Sequence, residues 1–308
     1  MNDMNDIKPS QSPSARIWLP DVPWNKHVRV FMMRDTRGCH LGPEEQFNRF
    51  PSSPYCFITW YLEGEGELLS CGGRHQHMRL ARCVVNGCQS APTITKNCGD
   101  VHKFIVLFHP DAFHALFDIN LAPLHNQFAD ARDVLPPHGL ELIDAVFQAQ
   151  SHEERQEVIK RFISQHAQAA TTTFWTHLRS SSSIRDGVTL ASVSAMLGVG
   201  PRQLQRRALR ETGLNLQTLI KLWRSEHSHL SLQPLPLCDR KMAWADNAIK
   251  AGYADQSHWG RDCKAYTGHT PTQHLHAAGT EEADWICRLE IPVYEDSHSQ
   301  RNAVKANQ

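Results

Sequence analysis

The stretch AIKAGYADQSHWGRDCKAYTG, Ala248 to Gly268, decides the fold of the C-terminal third of the chain. A helical pattern runs into Gly252, breaks over Tyr253 and Ala254, and restarts at Asp255. Gly252 suits the left-handed position that ends a helix, and Asp255 suits the N-cap, where a carboxylate accepts from an orphaned backbone N–H. The second helix ends at Gly268. Within it Trp259, Cys263 and Tyr266 fall at i, i+4 and i+7, which predicts a buried stripe. Gln256, Ser257, Gly260, Arg261 and Lys264 then face outward. Upstream, in DRKMAWADNAIKAG, Asp239 is the expected cap of the preceding helix. Two helices joined by a short glycine-led turn make a helix-turn-helix, whose second helix can enter a major groove.

The unit occurs twice. In VTLASVSAMLGVGPRQLQRRALRETG, Val188 to Gly213, Thr189 is the expected cap and Gly198 ends the first helix. Pro201 takes the first position of the second helix and Gly213 ends it. Leu204 matches Trp259, Arg206 matches Arg261 and Gly213 matches Gly268, each 55 residues apart. Between the copies, NLQTLIKLWRSEHSHLSLQ predicts a long bridging helix capped by Asn215 and ended by Pro234 and Pro236. A duplicated unit is a far sharper signal than either copy alone.

On these elements, and on the closing TGHTP, residues 188–279 resemble the DNA-binding domain of the AraC/XylS family of transcription regulators. The resemblance implies two recognition helices entering successive major grooves on one side of the duplex, roughly 34 Å apart. Arg202, Gln203, Gln205 and Arg206 are the base-reading candidates of the first helix, since Arg reads guanine and Gln reads adenine in bidentate fashion. The analogous positions of the second helix are Gln256, Ser257 and Arg261, with Gly260 offering no side chain. Arg207, Arg210, Lys221, Arg224 and Lys264 are suited to phosphates, which position a protein without reading sequence. Asn247, Ala208 and Cys263 depart from the family by being smaller or more polar than usual, and Trp244 and Trp259 are expected to supply the missing volume. The partners implied are duplex DNA, RNA polymerase, a small-molecule effector and a second copy of the chain. Sequences resembling residues 55–165 stand upstream of this domain in a subset of the family, without an implied ligand.

Bulk composition agrees. The chain has 308 residues and balanced charge, yet Val188 to Gly279 carries eleven Lys/Arg against six Asp/Glu, a net of +5. A basic block beside an acidic remainder points to a polyanion partner. Nine spread cysteines without a C-x-x-C pair and a polar start predict reduced thiols in a cytoplasmic protein. The longest strongly apolar run, Phe104 to Phe108, is far short of a membrane span.

The expected class is α+β. Residues 1–25 read as a flexible arm and 26–178 as a sensor or regulatory domain, β-rich and then helical. A linker follows over 179–187, then the helix-turn-helix domain over 188–279 and a largely disordered tail over 280–308. CFITWYLEG, GEGELLS and VHKFIVLFHP read as strands of a barrel or sandwich. DAFHALF, with Asp111 as cap, begins the helices, followed by segments around Leu142, Val146 and Ala149 and, after Ser151 as cap, around Val158, Ile159, Phe162 and Ile163. Trp60, Tyr61, Phe104 and Phe108 either line an effector cavity or, three to one, form the core.

Two other function classes compete. One is a metal-dependent cupin-like enzyme with a relic DNA-binding domain. His75 and His77 share a strand face near Cys71, Cys83, Cys88 and Cys98, but no carboxylate follows at cupin spacing, so no metal or other cofactor is expected. His102, His109 and His114 have equally ordinary readings. Ser182 and Asp186 form no nucleophile elbow, and no catalytic residue is assigned. The other class is a non-specific architectural DNA-binding protein.

Overall fold

The computed structural model describes residues 12–167, 175, 190–231, 239 and 244–289. Ten strands come first: β1 Ser14–Trp18, β2 Val28–Asp35, β3 Phe47–Phe50, β4 Cys56–Glu63, β5 Gly66–Cys71, β6 Arg74–Arg79, β7 Cys83–Asn86, β8 Thr93–Asn97, β9 His102–Phe108 and β10 Phe128–Asp130. They form two sheets, a six-stranded one in the order β1-β2-β9-β4-β7-β10 and a four-stranded one in the order β3-β8-β5-β6. All pairings are antiparallel. Of the barrel and sandwich alternatives the sandwich is the one found, because the sheets do not close on each other.

Strand alternation explains the layering. In β9, Phe104, Val106 and Phe108 turn to one face, while Ile105 and Leu107 turn to the other. The first face packs under helices α1 Pro110–Phe117, α2 Ala131–Val134, α3 Pro137–Gln148 and α4 His152–His166. The second face meets the four-stranded sheet through Phe50 of β3. Trp60, Phe104 and Phe108 are fully buried in the helix-facing core, and Tyr61 packs with Leu68, Val84 and Val101. None of these four rings is among the described residues that line the cavity between the two sheets.

Caps fall largely where the sequence places them. The Ser151 hydroxyl accepts from the Glu154 backbone N–H at 3.0 Å. Asp111 is an exception: α1 starts one residue earlier at Pro110, His109 takes the cap position, and Asp111 is buried in the first turn. The arm expected over 1–25 is contradicted from Ser14 onward, where β1 pairs with β2 from Ser14↔Asp35 to Trp18↔Phe31. The expected linker over 179–187 lies outside the described residues.

The C-terminal helices are α5 Leu190–Leu197, α6 Pro201–Thr212, α7 Leu216–Leu230, α8 Trp244–Lys250, α9 Gln256–Thr267 and α10 Pro271–Thr280. Leu204, Ala208, Leu216, Leu219 and Leu222 join the cluster that runs up to α1 and α4, so the first unit shares its core with the N-terminal half. The first part of the tail over 280–308 forms a 3₁₀ helix over Glu282–Arg288. Its Trp285 is buried, donates to Asn48 Oδ1 at 2.9 Å and lies under the Arg34 guanidinium. Arg49 binds both Glu281 and Asp284, and Arg34 binds Glu282. An apolar ring with three carboxylates around it therefore ties this segment to β2 and β3. Residues 290–308 lie outside the described residues.

Candidate nucleic-acid interface

The two recognition helices are copies in backbone as well as sequence. α6 and α9 both have 12 residues and both end on a left-handed glycine, Gly213 at φ 74° and Gly268 at φ 85°. Pro201 takes the first helical position of α6, and the Asp255 carboxylate caps α9 by accepting from His258 N–H at 2.7 Å. The turns before them also open on left-handed glycines, Gly198 and Gly252. The Asn215 side chain caps the bridging helix α7 at 2.9 Å from Thr218 N–H. Thr189, Pro234 and Pro236 lie outside the described residues. Asp239 is itself helical, so it is not the half-in cap expected of it.

On α6, Arg202, Gln203 and Arg206 are exposed while Leu204 and Ala208 are fully buried. Gln205 is half-buried, and its side-chain carbonyl accepts from Leu216 N–H at 3.3 Å. It thus bridges the recognition helix to the start of α7, leaving only its amide N–H₂ for a base. On α9, Gln256, Ser257, Arg261 and Lys264 are exposed, and Gly260 is half-buried. Trp259, Cys263 and Tyr266 form the inward stripe that the spacing predicts.

The basic residues divide into two kinds. Arg207 and Arg210 both bind Glu211, which also accepts from Trp175 Nε1 at 2.8 Å. These three donors hold the buried Glu211 carboxyl below its usual range although burial alone would raise it. Lys221 and Arg224 of α7 both bind Asp262 of α9, at 3.1 and 3.2 Å. Arg224 also lies over the Tyr253 ring at 4.4 Å, so its charge is occupied inside the domain. Lys221, half exposed, keeps a face to solvent. Sequence spacing brings these cations together but is blind to the carboxylates they meet.

Asn247, small and polar where the family has an aliphatic residue, has a structural use. Its amide donates to Ser228 O at 2.7 Å and accepts from Ser231 Oγ at 2.6 Å, which fastens α8 to the end of α7. Trp259 Nε1 donates to Ser228 Oγ at 2.9 Å, and its ring meets Trp244 at 5.7 Å. The volume missing at Cys263 and Asn247 is filled by those two indoles with Ala248, Ala251 and Tyr253. Ile249 of α8 is 69% exposed and makes no part of that core.

The N-terminal half docks onto this domain. Leu121 N–H donates to Arg210 O at 3.0 Å, and Ser52 N–H donates to Tyr266 O at 2.7 Å. Tyr55 OH donates to Glu226 of α7 at 2.7 Å, with Arg29 Nε of β2 at 3.7 Å from the same carboxylate. Beside this junction lies a cavity of about 130 Å³ between the two sheets. Met32, Phe57, Ile105 and Leu107 of the large sheet form its floor, and Glu226, His229, Leu230 and Tyr266 of the helix-turn-helix domain close it. Arg29, Tyr55 and Glu226 carry no recognisable motif and were not among the sequence candidates. They become visible only when residues almost two hundred positions apart meet. The exposed His75 and His77 stand on the outer strand β6, away from this cavity.

Residues 193–277 match the family model described as a helix-turn-helix domain. No curated protein matches the chain. Among solved structures, ToxT from Vibrio cholerae is 10% identical, with 86% of this chain and 98% of that chain covered and a TM-score of 0.43. Another ToxT structure, bound to (E)-4-(8-methylnaphthalen-1-yl)but-3-enoic acid, is 11% identical over 86% and 99%, also at 0.43. A DNA-binding transcriptional dual regulator from Escherichia coli K-12 is 21% identical over 36% of this chain and 92% of that chain, at 0.28. The family match lies on the two equivalent units described above, so the C-terminal region is a helix-turn-helix domain.

Proposed function

We propose that residues 188–279 read two adjacent elements of duplex DNA and that residues 26–178 regulate this reading. The observation that carries it is the equivalence of α6 and α9, each presenting outward polar side chains from the same helical positions. Arg202, Gln203 and Arg206, with the free amide of Gln205, read the first element; Gln256, Ser257 and Arg261 read the second. Lys264 and Lys221 bind phosphates, with Arg207 and Arg210 shared between phosphate and Glu211, while Arg224 mainly braces Asp262. The chain works in the cytoplasm, alongside RNA polymerase and with a second copy of itself as a further partner. No helix among the described residues is long and apolar enough to cross a membrane.

Arg206→Ala should relax preference at one base position, at about 1–3 kcal/mol. Lys221→Ala should weaken all sequences alike and flatten the salt dependence. Competitive binding with duplexes substituted one position at a time measures both. A Lys221 variant with altered base preference, or an Arg206 variant with unchanged preference, contradicts the assignment.

The regulatory element is the cavity walled by both halves. A small apolar molecule there touches the sandwich, α7 and α9 at once, so it has differential contacts with docked and undocked arrangements, which is the requirement for coupling. An apolar probe that binds in the cavity should shift duplex affinity, and duplex should shift probe affinity by the same factor. Probe bound there with duplex affinity unmoved would overturn the regulatory part of the proposal.

A further inference from the structure

On the helix-covered side of the large sheet, away from the apolar cavity, lies a polar cleft of about 430 Å³. Its wall includes Glu63 at the end of β4, His102 at the start of β9 and Arg82 just before β7. Phe147, Ser151, His152 and Arg155 complete it from the corner between α3 and α4. Arg37 also reaches the cleft, but its guanidinium is taken by Asp35, at 2.6 Å, and by Glu63. The other two arginines have no such partner. Arg155 is only 8% exposed. Among the described residues the one acceptor of its guanidinium is Ala149 O, 2.6 Å from Nη2, and its Nε is buried with none. Glu154, next to it in the chain, instead accepts from Gln150 N–H at 2.7 Å. Arg82 is exposed and lies over the Phe147 ring at 4.7 Å, with no carboxylate at ion-pair distance among the described residues. His102 and His152 share one hydrogen bond, Nε2 to Nε2 at 3.1 Å, and His152 Nδ1 is a second buried polar atom without a partner. Burial first, and then the neighbouring positive charges, holds both imidazoles below their usual range, His152 at about 4.

Two guanidinium groups without an ion-pair partner, beside two neutral imidazoles, make a site short of an anion. Burying the Arg155 charge unpaired is costly, and an oxyanion supplies both the counter-charge and the acceptor it lacks. The start of α4 acts in the same direction, since Ser151 and His152 stand at a helix N-terminus, which favours negative charge. The first-turn carboxylates Glu153 and Glu154 are exposed and are not part of the wall. Glu63 is the one carboxylate on the wall, and Arg37 holds it. A phosphoryl group offers three acceptor oxygens, enough for Arg155, Arg82 and the Ser151 hydroxyl together. We propose that this cleft binds a small phosphate monoester, its phosphoryl group on Arg155 and Arg82 and its organic part against Leu62 and Phe147. The site is separate from the cavity between the sheets, because β9 gives His102 to one and Ile105 and Leu107 to the other.

The test uses the full chain and three probes, phenyl phosphate, benzoate and benzyl alcohol, titrated by calorimetry at neutral pH and fixed ionic strength. Phenyl phosphate should bind tightest of the three. Arg82→Gln should weaken it about tenfold through the loss of one charge-assisted contact, and leave benzyl alcohol unchanged. Arg155→Lys keeps the charge but loses the planar fork, so it should weaken phenyl phosphate too. Should that variant fail to fold for want of the Ala149 contact, the exposed Arg82 decides alone. Saturating duplex DNA, which occupies the recognition helices, should not displace the probe. Benzoate bound as tightly as phenyl phosphate overturns the choice of a phosphoryl group. Phenyl phosphate that does not bind, that binds Arg82→Gln as tightly as the parent, or that duplex displaces, overturns the cleft as an anion site. Each of these results leaves the reading of the apolar cavity where it stands.

Discussion

Trp259→Ala should cost about 3–5 kcal/mol and abolish binding to every duplex instead of changing base preference. Although Trp259 sits on a recognition helix, only 4% of it is exposed. Its ring fills the small core of the second unit between Trp244, Ala248, Ala251 and Tyr253, and its N–H satisfies Ser228. Alanine would open a cavity in a core with few other large side chains and leave the Ser228 hydroxyl short of a donor. Ser228 also accepts Asn247 through its backbone carbonyl, so the loss spreads to the α7–α8 contact. Thermal melting beside a binding assay decides the matter. A variant that melts like the parent yet loses DNA would show the indole touching the duplex.

Gly213→Ala should destabilise the chain distinctly more than Gly268→Ala, although the two glycines are equivalent copies. Both are left-handed, so each alanine costs on the order of 1–2 kcal/mol in backbone strain. At Gly268 a new Cβ would meet Pro92 Cγ at 3.6 Å, an ordinary contact. At Gly213 it would lie 2.7 Å from the backbone carbonyl oxygen of Leu121. Backbone cannot swing aside as a side chain can, so the end of α6 must leave the turn after α1 and lose the Leu121 to Arg210 hydrogen bond. Melting temperatures of the two variants, with amide exchange at Leu121, measure the difference. Equal losses would mean that the docking of the first unit on the N-terminal half is not as tight as the geometry requires.

The helix-turn-helix repeat was legible because its signals are local. Asp255, Asn215, Pro201 and the four left-handed glycines each act within one turn of the chain. The indole-for-aliphatic exchange around Asn247 was legible as a volume argument, whereas its hydrogen bonds to Ser228 and Ser231 were not. Strand β2, VRVFMMRD, was missed because almost all of it is buried, Arg29 and Arg34 included. A strand covered on both faces shows no alternation to read. β1 was missed because its burial is partial and its order depends on pairing with β2, a strand that was itself missed. Asp111 was misplaced as a cap because Pro110, pre-set for the first helical position, moves the start back by one residue. Phosphate contacts were assigned to Arg207, Arg210, Lys221 and Arg224 from charge alone. The buried Glu211 and Asp262 that occupy those cations appear only once the helices are packed. The Glu226 junction and its cavity belong to the same class of fact, set by which residues the fold brings together.

Selection of duplexes by the full chain from a random pool, at two salt concentrations, tests the central claim most directly. Two recognition helices on one bridging helix predict enrichment of two short elements about one helical turn apart, with affinity falling steeply as salt rises. Arg206→Ala should blur one position of the first element and leave the second unchanged. A pool that emerges without enrichment, or an enriched sequence with a single element untouched by changes on either α6 or α9, would contradict the account.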